Sequence, residues 1–154
     1  MTSFVTMTVG EETYAVAVAS VQELILLQPL THVPSMPACI RGLMNLRGTV
    51  VPVVDLARQL GLGETRIGPL TCVVIVDVSS DGLRSIMGVL ANHVRDVVDI
   101  DNVERAPAFG SRLPPSYVPG VARLDGQYVL VLDLAKILSA DELLAATAAA
   151  SERS

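Results

Sequence analysis

Short aliphatic runs, broken at frequent intervals by turn residues, decide what this chain can become. Phe4–Val9 is closed by Gly10-Glu11-Glu12, and Thr13–Val18 follows with apolar residues on both faces. A strand that is apolar on both faces has to be covered on both, as in a closed barrel or a sandwich. Gly48–Asp55, Leu70–Val78, Arg84–Ala91 and Val94–Ile100 continue the series. Gly120–Leu124 and Gln127–Leu132 flank Asp125-Gly126, a two-residue hairpin signal of the type I′ kind. Pro52 gives its strand no hydrogen-bond donor, so that strand is expected at an edge or bulged. Ser20–Leu27 changes rhythm: Val21, Leu24 and Ile25 fall at helical spacing with Ser20 as N-cap. Short helices are expected at Asp55–Leu60 and after Asp133, where Ser139-Ala140-Asp141-Glu142 forms a capping box ahead of a C-terminal helix. About eight such strands favour barrels or sandwiches over a βαβ fold. The loop at Gly61–Pro69 is the expected boundary between two half-size barrels.

Composition narrows function by subtraction. Hydrophobic residues make up 51% of the 154 and charged residues 18%, which excludes a disordered chain. The net charge of −5 argues against an extended nucleic-acid-binding face. A barrel binding single-stranded nucleic acid would need a basic groove with stacking aromatics, and only two Phe and three Tyr are present. Cys39 and Cys72 cannot make a disulfide-rich scaffold, and read as small hydrophobes. Met1-Thr2-Ser3-Phe4 has neither the basic nor the apolar region of a signal peptide, so a reducing cytoplasm is the expected compartment. The longest stretch without Asp, Glu, Lys or Arg, Leu24 to Ile40, contains Pro29, Pro34 and Pro37 and is no membrane span.

Catalytic patterns are missing. There is no Gly-rich phosphate loop, no GxSxG elbow, and no HExxH, CxxC or EF-hand spacing. His32 lies in the proline loop and His93 in an expected inter-strand turn, and both read as solvated loop histidines. Asp99 and Asp101 would share a strand face where a hard cation could sit, although a solvated strand end accounts for them as well. No metal and no cofactor is expected.

Ile40 to Leu56 is the most informative stretch. Gly42 and Gly48 bracket a polar–apolar alternation and permit left-handed backbone or close approach. Arg47 sits just before a strongly apolar strand, so its stem packs while its guanidinium seeks a carboxylate, with Glu23 the natural partner. Periodicity alone leaves an ordinary surface arginine beside a tight turn equally open.

Here a resemblance becomes specific. Val21-Gln22-Glu23-Leu24-Ile25, then Val33-Pro34 and Pro37-Ala38-Cys39-Ile40-Arg41-Gly42, then Asn45-Leu46-Arg47-Gly48 and Val51-Pro52-Val53-Val54-Asp55-Leu56, occur in the order and spacing of the CheW family of chemotaxis coupling proteins. Ile86–Val98 and Pro107-Ala108-Phe109 match its later strands and loop, so the chain resembles that family over about Phe4 to Leu144. The resemblance implies a mainly β fold: two five-stranded SH3-like β-barrels that share strands and pack on one apolar interface, with short helices and a C-terminal helix. The expected division is one barrel from about 12–68 plus the C-terminal segment, and another from about 69–132 plus the N-terminal strand. It also implies a non-enzymatic adaptor joining the cytoplasmic tips of methyl-accepting chemoreceptors to the regulatory domain of a CheA-type histidine kinase. Self-association in rings, and a cytoplasmic place at the receptor array without insertion into the membrane, belong to the same expectation.

Carried over by position, the resemblance makes Val21, Glu23, Arg41, Gly42, Asn45 and Arg47 a receptor-facing groove, completed by Val89 and Val94. Phe109 is the expected aromatic of the kinase or ring contact, or else a plug on a barrel end. Val73 lies near the kinase contact or in the core. Asn92-His93 and Glu104-Arg105 depart from the family pattern. The family also serves arrays that control gliding, pili or second messengers, and the sequence does not choose among these outputs.

Overall fold

A computed structural model describes residues 2–80, 83–101, 103–105 and 114–138 of the chain. β1 (Thr2–Val9) and β2 (Glu12–Ala17) form the first hairpin, across Gly10-Glu11. The chain then crosses to a second sheet through a 3-10 turn at Val18–Ser20. There it makes β3 (Glu23–Leu26), β4 (Ile40–Leu46), β5 (Thr49–Asp55), helix α1 (Leu56–Gln59), β6 (Cys72–Ser80) and β7 (Leu83–Ala91). It returns through Asn92 to β8 (His93–Ile100), β9 (Val103–Arg105), β10 (Gly120–Leu124), β11 (Gln127–Leu132) and helix α2 (Leu134–Leu138).

The sheet orders are β8-β1-β2-β11-β10-β9 and β3-β6-β7-β5-β4. β8 and β9 are separated by two residues yet lie at opposite ends of the first order, pairing with β1 and β10. Taken together as one member, they close that sheet and give it five members. The second sheet is drawn together by the paired bonds Thr31 N–H to Leu43 O and Leu43 N–H to Thr31 O, each 2.8 Å. The expected fold class holds, mainly β with two five-membered SH3-like barrels, but the barrels share a core rather than strands, since no strand belongs to both sheets.

The expected division of the chain does not match this pairing. β3 pairs with β6 and β5 pairs in parallel with β7, so β3 to β7 form one barrel. The first hairpin with β8, β9, β10 and β11 forms the other, joined by the parallel pairing of β2 with β11. The Gly61–Pro69 loop lies inside one barrel and is no boundary. Ser20–Leu27 is also corrected: after the 3-10 turn it is an edge strand, because backbone pairing with β6 overrides a spacing that fits either structure. His93 starts β8 rather than sitting in a turn. The capping box at 139–142 and Phe109 lie outside the described residues.

The two-faced strands supply three cores. Val5, Met7, Val9, Tyr14 and Val16 meet Val54, Val74, Val76, Met87 and Val89 between the sheets. Phe4, Ala15 and Val131 fill one barrel, and Met44, Val51, Val53, Val73, Ile75 and Leu90 fill the other. Burying each Val, Leu, Ile, Phe or Met among them is worth about 1.5–3 kcal/mol. α2 adds Leu134, Ile137 and Leu138 to the shared core.

β4 carries a bulge that explains its mixed pattern. Ile40 pairs with Val54 and Gly42 with Val53, leaving Arg41 as the extra residue. Ile40 therefore faces the shared core while Met44, four residues on, fills the barrel. Pro52 is not on an edge strand, since β5 lies between β7 and β4. Its partner Leu43 spends both backbone groups on Thr31, so Pro52 is in a non-hydrogen-bonded pair with β4. The side where its amide would point is the β7 side, and that ladder begins only at Val53.

Candidate partner-binding surface

Leu46 pairs with Thr49, so Arg47-Gly48 is a two-residue turn. Both residues are left-handed, with φ 49 and 86, as a type I′ turn demands. Gly48 N–H donates to Asn45 Oδ1 at 2.8 Å, which holds the turn from within. Arg47 then spans to the start of β3, where its two terminal nitrogens donate to Glu23 Oε1 and Oε2 at 2.9 and 2.6 Å. This is the fork-on-fork arrangement that gives an arginine–carboxylate pair its geometric specificity. The Arg47 hydrogen bonds hold the Glu23 carboxyl below the usual carboxylate range, and Glu23 holds Arg47 above its own. The side chains are 71% and 31% exposed, so the pair presents charge to solvent while tying the β4–β5 turn to the opposite edge strand.

Val21 lies two residues before Glu23. It is half-buried against the shared core, as is Val94 from the other barrel. These two form apolar rims of the same intersheet cluster. Val89 belongs to that cluster but is fully buried, so its side chain cannot face a partner and it supports the rim from below. Val73 is likewise fully buried, inside the second barrel, which decides for the core position over a kinase contact.

Arg41 and Gly42 also differ from the expected groove. Arg41 turns its guanidinium to Asp55, with Arg41 Nη1 2.9 Å from Asp55 Oδ2 and 2.9 Å from the Thr65 carbonyl. Gly42 is buried, and a Cβ there would come within 2.7 Å of the Thr31 carbonyl. It permits the closing bridge of the barrel. Asp55 is fully buried and accepts from Thr65 N–H at 2.9 Å and Thr65 Oγ1–H at 2.6 Å. Asp55 announces itself in the sequence as a carboxylate ending an apolar strand; nothing local pointed to Thr65.

Asp99, Asp101 and Glu104 line a cavity of about 370 Å³ with Ile100, Arg123 and Leu124. Asp99 accepts from Ser3 Oγ at 2.6 Å. Among the described residues no group of three His, Cys, Asp or Glu side chains is arranged to hold a metal ion, and no helix is long and apolar enough to cross a membrane.

Two SH3-like barrels inserted one within the other and sharing a core define a particular class of β domain. The CheW-like domain family matches residues 3–142. The chain is 27% identical over 142 residues to chemotaxis protein CheW of Klebsiella aerogenes, covering 91% of this chain and 83% of that one. It is 31% identical over 133 residues to protein FrzA of Myxococcus xanthus, covering 84% and 81%. The crystal structure of the scaffolding protein TtCheW from Thermoanaerobacter tengcongensis superposes with a TM-score of 0.79 at 25% identity, covering 92% and 90% of the two chains. This chain belongs to the CheW family.

Proposed function

We propose that the chain is a non-enzymatic coupling protein of a bacterial chemosensory array, working in the cytoplasm. In this reading it links the cytoplasmic tip of a methyl-accepting chemoreceptor to the regulatory domain of a CheA-type histidine kinase. The observation that carries it is the Glu23–Arg47 pair: two opposite charges held in fixed geometry on an exposed barrel edge, close in sequence to the apolar rim residue Val21. A helical hairpin tip offers apolar and polar groups in alternation, and such a surface suits it. The receptor surface comprises Val21, Glu23, Asn45, Arg47 and Val94, with Arg41, Gly42 and Val89 as its support. Phe109 is assigned to the kinase or ring contact through its place in the family pattern.

A second reading keeps the chemistry and changes the output. The chain matches relatives under two names, CheW and FrzA, at similar identity, so the coupling role alone does not fix the output, and a non-flagellar pathway stays beside the flagellar one. Calorimetric titration with the regulatory domain of the CheA-type kinase from the same genome, and separately with a receptor tip fragment, tests the proposal. Saturable binding weakened by Phe109→Ser for the kinase, and by Arg47→Ala for the receptor, is expected. Absence of binding to both partners would overturn it.

A further inference from the structure

Asp55 is a charged side chain with no exposed surface, and the receptor surface described above does not include it. Three donors satisfy it: the Thr65 amide, the Thr65 hydroxyl and the Arg41 guanidinium. Arg41 is also the bulge residue of β4, so the carboxylate grips the one residue that sets β4 out of simple register. Before the bulge Ile40 faces Val54; after it every pair down to Leu46 and Thr49 is displaced by one. Were Arg41 to rejoin the ladder opposite Val53, the pair next to the turn would become Asn45 with Thr49. The loop would then grow from two residues to three, and Arg47 would leave the left-handed position from which it reaches Glu23. Residues 42–46 would also change face, since side chains alternate along a strand.

We propose that Asp55 is a positioning residue for the Glu23–Arg47 pair: by holding Arg41 in the bulge, it keeps the β4–β5 hairpin in the register that aims Arg47 at Glu23. Met44, buried in the second barrel, favours the same register. Asp55 and the core thus act together, and losing Asp55 alone gives a hairpin that samples both registers. The Glu64 carboxylate, 3.5 Å from Arg41 Nε, lies on the solvent side of the same guanidinium and cannot replace a buried acceptor on the strand. The link from this geometry to receptor binding rests on the reading above; the geometry itself does not.

The test uses the full chain and needs no partner. Carboxyl-detected NMR follows the Glu23 titration, and the Gly48 amide reports on the turn, in wild type and in Asp55→Asn, Arg41→Gln and Arg41→Lys. In wild type Arg47 holds Glu23 below the usual range. The expected result is that Asp55→Asn and Arg41→Gln return Glu23 towards the ordinary carboxylate value and displace the Gly48 amide, whereas Arg41→Lys keeps Glu23 low. General loss of stability in a chain that is still folded would not move the Glu23 midpoint. If Asp55→Asn does not fold, Arg41→Gln decides, since Asp55 keeps both Thr65 donors there. A Glu23 midpoint unchanged in a folded Arg41→Gln overturns the inference, even if wild type binds its partners. Conversely, a wild type that binds neither partner overturns the proposed function and leaves this result standing.

Discussion

Arg47 and Glu23 meet across opposite edges of one sheet, and Arg47 does so from a left-handed backbone position in the β4–β5 turn. A non-glycine residue held there costs roughly 1–2 kcal/mol relative to an ordinary conformation. The turn accepts that strain because Gly48 and the Asn45 side chain complete it.

The pair has a signed pH dependence. The folded Glu23 carboxyl is lowered by its hydrogen bonds to Arg47, so its contribution to stability is present above the unfolded value of about 4.3. It is lost as pH falls through the lower folded value. Thermal melts of wild type and Arg47→Ala from pH 7 down to about 2.5 should show a constant difference at neutral pH that shrinks below about pH 4. A difference independent of pH would remove the ion pair from the account.

Arg47→Gly separates strain from recognition. Glycine relieves the left-handed backbone while deleting the ion pair, so the two effects oppose one another and the melting temperature should change less than in Arg47→Ala. Receptor-tip binding, measured by calorimetry, should fall equally in both variants.

Arg41→Ala leaves the fully buried Asp55 carboxylate with two donors and no countercharge. The expected loss is on the order of 3 kcal/mol, read from denaturant unfolding. Adding Asp55→Asn to Arg41→Ala should recover part of that loss, because the uncompensated charge is gone.

Gly42→Ala places a methyl group 2.7 Å from the Thr31 carbonyl and 3.1 Å from Leu30 Cβ. The closing bridge between Thr31 and Leu43 must shift, at a cost of about 1–3 kcal/mol. Hydrogen exchange at the Leu43 amide, which donates to Thr31, should accelerate more than exchange at Met87 in the middle of β7.

Val89→Ala tests the reassignment of that residue to the core. Truncation should lower stability by about 2 kcal/mol, while the variant still binds receptor tip with wild-type affinity at a temperature where it is folded. A selective loss of binding without loss of stability would return Val89 to the groove.

Much of this was legible from the chain, for identifiable reasons. Asp125-Gly126 and Gly10-Glu11 encode their hairpins locally, and both turns form as read. The Glu23–Arg47 pairing could be inferred because an arginine ahead of an apolar strand needs a carboxylate and few lie near. What stayed hidden is non-local. No residue in β3 says that it pairs with β6, and its leucines fit a helix as well as an edge strand. β4 was obscured by its own bulge, which breaks the alternation at Arg41 and gives Ile40 and Met44 the same parity but different faces. The family pattern groups Arg41 with its neighbours in sequence, whereas Asp55 turns its guanidinium inward.

The return of the chain through Asn92 has a consequence for synthesis. The barrel from β3 to β7 has all its strands once residue 91 has left the ribosome, and its closing bonds are internal. The barrel begun by β1 and β2 stays unfinished until β11 arrives to pair with β2, more than a hundred residues later. The inserted half can therefore close, and offer its face of the shared core to Val5, Met7 and Val9, while the Phe4 and Ala15 side of the opening hairpin still waits for β11.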